Sequence, residues 1–175
     1  MLLSSSRITA DRKAELALEP IAVCAGNRER VSAFLRERWF STDMVIRGET
    51  VDLSSAEGLL FQGSDGSIRA LITFRTDGDT CEITSLDSLD ENRGAASALM
   101  LAVGTEAVRR GASRMIVVTT NDNLRAIRFY QHRGFTVSRV YRNSLETARR
   151  VKPEIPLRGE NGVPLLHEIE LARML

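Results

Sequence analysis

The sequence predicts an α/β fold (a mixed α+β sheet) with helices on both faces. Strand patterns joined by tight turns fill the middle of the chain, and strand and helix patterns alternate in its second half. Hairpins place antiparallel strands side by side, whereas crossovers produce parallel neighbours, so the sheet is expected to contain both. The length of 175 residues suits one domain.

The first half of the chain is predicted to contain one helix and several short strands. Residues 16–25 form a first strand interrupted by Pro20. Apolar residues at helical spacing predict a helix over residues 28–40, with Asn27 as its N-cap. Residues 41–58 are expected to form a loop. Turn sequences SDG and DGD separate three further strands over residues 58–62, 67–75 and 80–86.

The second half alternates more regularly. A helix over residues 94–110 stops at Gly111, and an apolar, β-branched strand follows over residues 113–120. Asn121–Asn123 offers caps for a helix through His132. The last two strands are predicted over residues 135–141 and 165–171, on either side of a polar segment.

Composition limits the classes of partner. The chain has 24 Lys and Arg against 23 Asp and Glu, a net charge of +1 that gives no reason to expect nucleic acid or a membrane surface. No apolar run reaches the ~18 residues of a membrane span, and the N-terminus lacks a secretory pattern, so a cytoplasmic location is expected. The two cysteines lack the companions of a metal site, so no metal is expected. Residues 1–15 are predicted to be a partly disordered extension of a single domain over residues 16–175.

The stretch SLDENRGAASALM, residues 88–100, places small residues where a strand becomes a helix. A helix start presents unpaired amides and the positive end of the helix dipole. Small residues from Gly94 to Ala98 let an anion approach, and Arg93 adds a cation. This turn therefore predicts a phosphate or pyrophosphate site, although the same residues would also allow the helix to pack closely on the sheet. It matches neither a P-loop nor a G-x-G-x-x-G fingerprint, which disfavours an NTPase or a dinucleotide oxidoreductase.

A second stretch, NDNLRAIRFYQHRGF at residues 121–135, places Asn123, Ala126 and Tyr130 on one helix face. Its pattern N-x-x-A-x-x-F-Y-x-x-x-G-F resembles the acetyl-CoA motif of GNAT-type N-acetyltransferases. The turn at residues 92–96 resembles the pyrophosphate loop of the same superfamily, with an apolar strand between the two as in that family. The loop usually has the form [Q/R]-x-x-G-x-[G/A], whereas here Glu91 stands first and Arg93 third.

The resemblance covers the chain from Pro20 onward and implies a fold and an activity. The sheet would be mostly antiparallel and would splay between its two central strands, and a primary amine would attack the thioester of acetyl-CoA directly. The pantetheine arm would bind backbone groups of Leu86, Asp87, Ser88 and Leu89. The pyrophosphate would lie on the amides of Arg93, Gly94, Ala95, Ala96, Ser97 and Ala98. Asn123 and Ala126 would lie near the pantetheine and Tyr130 near the sulfur.

The resemblance also suggests catalytic groups. Tyr130 is a candidate acid, because a phenol of pKa ~10 can protonate a thiolate whose thiol has a pKa of ~8.5; alternatively it only caps the core. Glu82 is a candidate base on a strand face expected to be shared with Thr84 and Leu86, where burial would raise its pKa. The alternatives are an outward-facing glutamate and a water molecule as base.

The expected acceptor is a small-molecule or peptide amine, bound by residues 42–57 and 149–162. A second copy of the chain is a further expected partner, through the last strand. A different class of function also remains open, in which a GNAT-like module binds an acyl-CoA as a regulator without turnover. A plain interaction domain is the third alternative.

Overall fold

The computed structural model describes residues 19–89, 94–159 and 162–175. The predicted extension and the loop residues Glu91 and Arg93 lie outside these ranges. The helices are α1 (Arg28–Trp39), α2 (Ala95–Arg109), α3 (Leu124–Gln131) and α4 (Ser144–Val151). The strands are β1 (Ile21–Ala22), β2 (Asp43–Ile46), β3 (Glu49–Asp52), β4 (Glu57–Gln62), β5 (Ile68–Asp77), β6 (Thr80–Ser88), β7 (Arg114–Thr120), β8 (Thr136–Tyr141) and β9 (Glu168–Met174). None of the described helices is long and apolar enough to cross a membrane.

Seven strands form one sheet in the order β1-β4-β5-β6-β7-β9-β8, and β2 and β3 form a separate hairpin. Within this sheet β6 and β7 are parallel, and the other neighbours are antiparallel. Parallel neighbours need a crossover, which α2 supplies between β6 and β7. The predicted mixed and mostly antiparallel sheet is confirmed.

Helices cover both faces of this sheet. Ala70, Ile72 and Phe74 of β5 pack in a core cluster with residues of α2 and with Tyr130 of α3. The intervening Leu71 packs in a second cluster with α1 and the β2–β3 hairpin. Since successive side chains of a strand point to opposite faces, the two clusters lie on opposite sides of the sheet. We call these sides the α2 face and the α1 face.

The sheet splays between its two parallel strands. Residues Thr80–Ile83 of β6 pair with Arg114–Val117 of β7, and the pairing stops there although β6 runs on to Ser88 and β7 to Thr120. Beyond Ile83, the edge of β6 that faces β7 therefore has backbone groups without ladder partners. We call the opening between the diverging strand ends the gap. The splay that the family resemblance implied is confirmed.

A β-bulge stands where the gap begins. Thr73 pairs with Ser85 and Phe74 with Ile83, so Thr84 is an extra residue in β6. The buried hydroxyl of Thr73 lies 2.7 Å from the hydroxyls of both Thr84 and Ser85. These hydrogen bonds tie the bulge to β5.

The bulge reverses the alternation of side chains along β6. Leu86 pairs with Ile72 and packs on the α2 face, whereas Glu82 pairs with Arg75 on the α1 face. The expectation that Glu82, Thr84 and Leu86 share one face is therefore wrong. One inserted residue exchanges the faces of everything that follows it.

Three local predictions also differ from the structure. The expected loop over residues 41–58 contains the β2–β3 hairpin, whose turn residues Arg47 and Gly48 have φ of 54° and 80°, as two-residue hairpin turns require. Helix α4 lies in the polar segment between the last two predicted strands, where the sequence pattern predicts no helix. Asn27 precedes α1 without capping it, because its side chain bonds the backbone of Cys24 and Ala22 instead.

We expect Thr73→Val to destabilise the protein, because it leaves the buried hydroxyls of Thr84 and Ser85 without their shared partner. The free energy of unfolding, measured by urea denaturation, should fall by about 1–3 kcal/mol. Thr105→Val is the control, since that exposed hydroxyl bonds only the Leu101 carbonyl of its own helix. Equal effects of the two substitutions would show that the hydroxyl cluster does not stabilise the bulge.

Candidate active site

The start of α2 offers amides that have no partner within the helix. Gly94 precedes the helix with φ of 84°, a left-handed conformation that glycine adopts at low cost, and an added Cβ would meet nothing within 4 Å. The amide of Ala98 donates to the Gly94 carbonyl at 2.9 Å, so it closes the first turn and is not free for an anion. The amides of Ala95, Ala96 and Ser97 are the donors left by the helix geometry.

Arg133 places a cation at this helix start. Its Nε and Nη2 donate to the Ser97 hydroxyl, the first at 3.1 Å, and its Nη1 donates to the Phe129 carbonyl at 2.7 Å. Its guanidinium stacks 3.5 Å above the centre of the Phe129 ring. Burial lowers its pKa from a value so high that the group stays charged. Sequence reasoning gave Arg133 no role, because only the packing of α3 beside α2 brings it here.

Asn123 has a structural task at the start of α3. Its Oδ1 accepts a hydrogen bond of 3.0 Å from the amide of Ala126, which is the geometry of an N-cap. Ala126 is partly buried against the core cluster of the α2 face. The spacing N-x-x-A is thus explained by helix capping and packing. Within the described residues, the side-chain NH₂ of Asn123 makes no hydrogen bond and remains available to a ligand.

Tyr130 is held rigidly on the α2 face. It is 6% exposed, packs edge-on to Phe129 at 5.2 Å between ring centres, and lies 5.6 Å from the Phe135 ring. Its hydroxyl makes no hydrogen bond to any of the described residues. Burial, and next the charge of Asp87, raise its pKa, so the phenol is protonated at neutral pH. Tyr130 therefore combines core packing with a hydroxyl that has no hydrogen-bond partner among the described residues.

Residues 86–89 form the β6 side of the gap. Leu86 points to the α2 face and Asp87 to the α1 face, and Ser88 still pairs with Ala70 of β5. The amide of Leu89 donates to the Arg69 carbonyl at 2.9 Å, so it extends the ladder with β5. The predicted backbone stretch thus borders the gap, but the Leu89 amide is occupied.

Glu82 is a buried ion-pair partner. It is 5% exposed and accepts hydrogen bonds from Arg47 Nη1 at 2.5 Å and from Arg75 Nε at 2.7 Å, one on each oxygen. A cleft of about 400 Å³ borders this group, at the paired end of β6 and β7. Because guanidinium groups hold both oxygens, Glu82 is poorly placed to take a proton from an amine. Glu82 is therefore buried but paired with two arginines, so it is neither an unpaired buried carboxylate nor an outward-facing glutamate.

The turn of the β2–β3 hairpin spans this part of the α1 face. The backbone amide of Arg47 donates to both carboxylate oxygens of Glu168 at 3.0 Å, while its side chain reaches Glu82. The hairpin is therefore fixed to β9 by its backbone and to β6 by a side chain. The order of charged residues along the sequence predicts neither the contact with Glu168 nor that with Glu82, because both partners lie far from Arg47 in sequence. Within the described residues, no cluster of three or more His, Cys, Asp or Glu is suited to a metal ion.

A splayed central sheet, a helix start with unpaired amides and a buried tyrosine beside the gap are the features of an acetyltransferase of the GNAT type. Residues 30–135 match the acetyltransferase (GNAT) family. The uncharacterised protein YxbD of Bacillus subtilis is 38% identical over 155 residues, which are 89% of this chain and 98% of that protein. The chain belongs to the GNAT acetyltransferase family, within the acyltransferase class.

Solved structures show the same fold. A GNAT family acetyltransferase from Elizabethkingia anophelis with acetyl-CoA bound superposes with a TM-score of 0.59 at 23% identity, covering 70% of this chain and 78% of that one. The ribosomal-protein-S18-alanine N-acetyltransferase of Escherichia coli gives a TM-score of 0.62 at 12% identity, covering 89% and 92%. At these identities the likeness concerns architecture.

We expect Glu82→Gln to act on stability. Loss of the charge weakens hydrogen bonds to two arginines, so the free energy of unfolding should fall by about 1.5–3 kcal/mol. Turnover of the variant should still decline toward low pH as it does in the wild type, because another group takes the proton. Glu106→Gln is the control, because Glu106 also bonds two arginines but on the surface of α2. A variant of normal stability whose turnover no longer declines toward low pH would instead identify Glu82 as the base.

Proposed function

We propose that this protein transfers the acetyl group of acetyl-CoA to a primary amine, which attacks the thioester directly. The observation that carries the proposal is the gap between β6 and β7, because Leu86 on its β6 side packs against the core cluster that contains Ala95 of α2 and Tyr130. Acetyl-CoA bound to the Elizabethkingia anophelis relative supports the choice of acyl donor.

The residues around the gap fit the parts of acetyl-CoA. A pyrophosphate matches the unpaired amides of Ala95, Ala96 and Ser97 together with the cation of Arg133. A pantetheine arm carries amide groups at intervals along an extended chain. Such a chain can bond the edge of β6 beyond Ile83 much as a neighbouring strand would. The fit therefore rests on backbone groups that the first turn of α2 and the β6–β7 ladder do not pair.

Tyr130 is suited to serve the leaving group. As the amine nitrogen bonds to the carbonyl carbon, the C–S bond breaks and negative charge collects on sulfur. The phenol of Tyr130, protonated and free of protein partners among the described residues, can donate its proton to that thiolate.

Two measurements test the proposal. Calorimetry with acetyl-CoA should show binding, and thiol release from acetyl-CoA should require a member of a panel of primary amines. Binding without release for any amine would favour the regulatory acyl-CoA-binding module. Absence of binding would contradict both functions.

We expect Tyr130→Phe to lower kcat by about 10²–10⁴-fold, the usual contribution of a positioned acid, with little change in the Kd for acetyl-CoA. Tyr141→Phe is the matched control, because the Tyr141 hydroxyl is engaged with Glu170 at 2.7 Å on the outer strands. Measurement of kcat for thiol release decides the point. Wild-type turnover in the Tyr130 variant would remove the residue as the acid.

A further inference from the structure

Asp87 is the buried carboxylate that lies on the gap itself. It belongs to the part of β6 that β7 no longer pairs, and the bulge turns its side chain to the α1 face. The proposed contacts of acetyl-CoA, at the start of α2 and at Tyr130, belong to the α2 face. An acceptor that meets the thioester without displacing the donor must come from the other side. An approach from the α1 face would bring the amine toward Asp87, whose side chain points to that face.

Asp87 has room for a further donor. Its Oδ2 accepts a hydrogen bond of 2.7 Å from Trp39 Nε1. Among the described residues, Oδ1 has only a 3.4 Å contact with Arg38 Nε, whose side chain is 45% exposed. A carboxylate offers about four acceptor positions. Asp87 is 7% exposed, so a small part of its surface remains accessible.

The other buried carboxylates of the α1 face are more fully engaged or lie farther away. Glu82 has a guanidinium on each oxygen. Glu170 accepts from Arg114, Ser138 and Tyr141. Glu168 bonds the Arg47 amide through both oxygens and stands on β9, a strand away from the gap. Asp87 is thus the acid with an under-used oxygen at the place where the acceptor must arrive.

The charged and titratable groups that face Asp87 are Arg38 from α1 and Tyr130 from α3. Burial raises the pKa of Asp87, and the hydrogen bond from Trp39 and the charge of Arg38 only partly oppose that effect. An under-satisfied buried carboxylate is costly to fold, which is typical of a residue kept for function. Its charge also reaches Tyr130, so the two groups flank the same part of the gap.

We propose that Asp87 binds the ammonium group of the acceptor and takes the proton that the amine must lose before it attacks. This inference rests on the proposed acetyl transfer and defines the acceptor as an aliphatic amine that is protonated at neutral pH.

One N–H proton passes to Oδ1, and the freed lone pair bonds to the thioester carbon as the C–S bond breaks. The thiolate takes the Tyr130 proton, and a second proton from the new amide nitrogen restores Tyr130. Asp87 releases its proton to solvent, so each turnover yields one proton.

Trp39 allows a test that does not depend on turnover. It is the only tryptophan of the chain, and its indole N–H bonds Asp87. The intact protein is titrated at neutral pH with n-butylamine, glycinamide and lysine amide, while tryptophan fluorescence is recorded. At least one amine should change the emission saturably in the wild type and in the exposed control Asp65→Asn, and none should do so in Asp87→Asn. Tetramethylammonium, which has no N–H donor, should have no effect.

Thiol release with the same amines supplies the kinetic readout. Asp87→Asn should lose about 10²-fold or more in kcat/KM for n-butylamine at neutral pH and recover toward wild type as the pH approaches that amine's own pKa of ~10. Its Tm at neutral pH should equal or exceed that of the wild type, because the substitution removes the cost of burying a charge. A structural role alone would lower Tm and would give no alkaline recovery. If Asp87→Asn does not fold, Asp87→Glu replaces it, with reduced kcat and preserved amine-dependent fluorescence expected.

The outcomes separate the two proposals. Wild-type protein that ignores acetyl-CoA in calorimetry refutes the proposed function. Normal acetyl-CoA binding combined with wild-type kinetics in Asp87→Asn refutes only the role of Asp87. Fluorescence of the wild type that no amine changes also overturns that role, whatever the turnover.

Discussion

The extra residue Thr84 in β6 is the constraint on which the rest of the site depends. A regular β6 would continue its pairing with β7 and close the sheet. The bulge stands where that pairing ends, and the Thr73 hydroxyl bonds the hydroxyls of both Thr84 and Ser85, which limits its cost. Backbone groups left without a ladder partner are costly unless something else bonds them. The fold thus holds open a slot that suits an extended, amide-bearing molecule.

The bulge also divides the chemistry between two faces. Leu86 and Asp87 are neighbours in sequence, yet the first packs with α2 and α3 and the second meets α1. A shift of one residue would exchange them and bring a carboxylate to the side where an anionic donor is expected. With the observed register, the amides of α2 and the cation of Arg133 lie on one side, and the buried carboxylates lie on the other. On the proposed function, this arrangement would keep a cofactor with phosphates and a cationic acceptor apart until they meet in the gap.

Local patterns in the sequence were sufficient to predict the alternation of strands and helices, the role of Gly94 before α2 and the family resemblance, because these depend on neighbouring residues. The bulge carries no such signal, since Thr84 is an ordinary strand residue without glycine or proline beside it. The charges that define the site are paired over long stretches of sequence, as with Arg47 and Glu82, Arg38 and Asp87, or Arg133 and Ser97. Such pairs follow from how the hairpin, α1 and α3 pack on the sheet. The residue types alone do not specify them.

The case of Glu82 shows why burial by itself does not identify a proton acceptor. Glu82 and Asp87 are both strongly buried carboxylates on one strand, and strand position with desolvation would select either. Their partners differ. A buried charge is tolerated when it is fully paired, and it then belongs to the framework, as Glu82 does between two arginines. A buried carboxylate with an under-used oxygen keeps capacity for a ligand, and the hydrogen bond from Trp39 holds Asp87 in that condition. Glu82 and Asp87 thus differ in whether both carboxylate oxygens have a strong partner. Those partners are supplied by the way that α1 and the hairpin pack on the sheet.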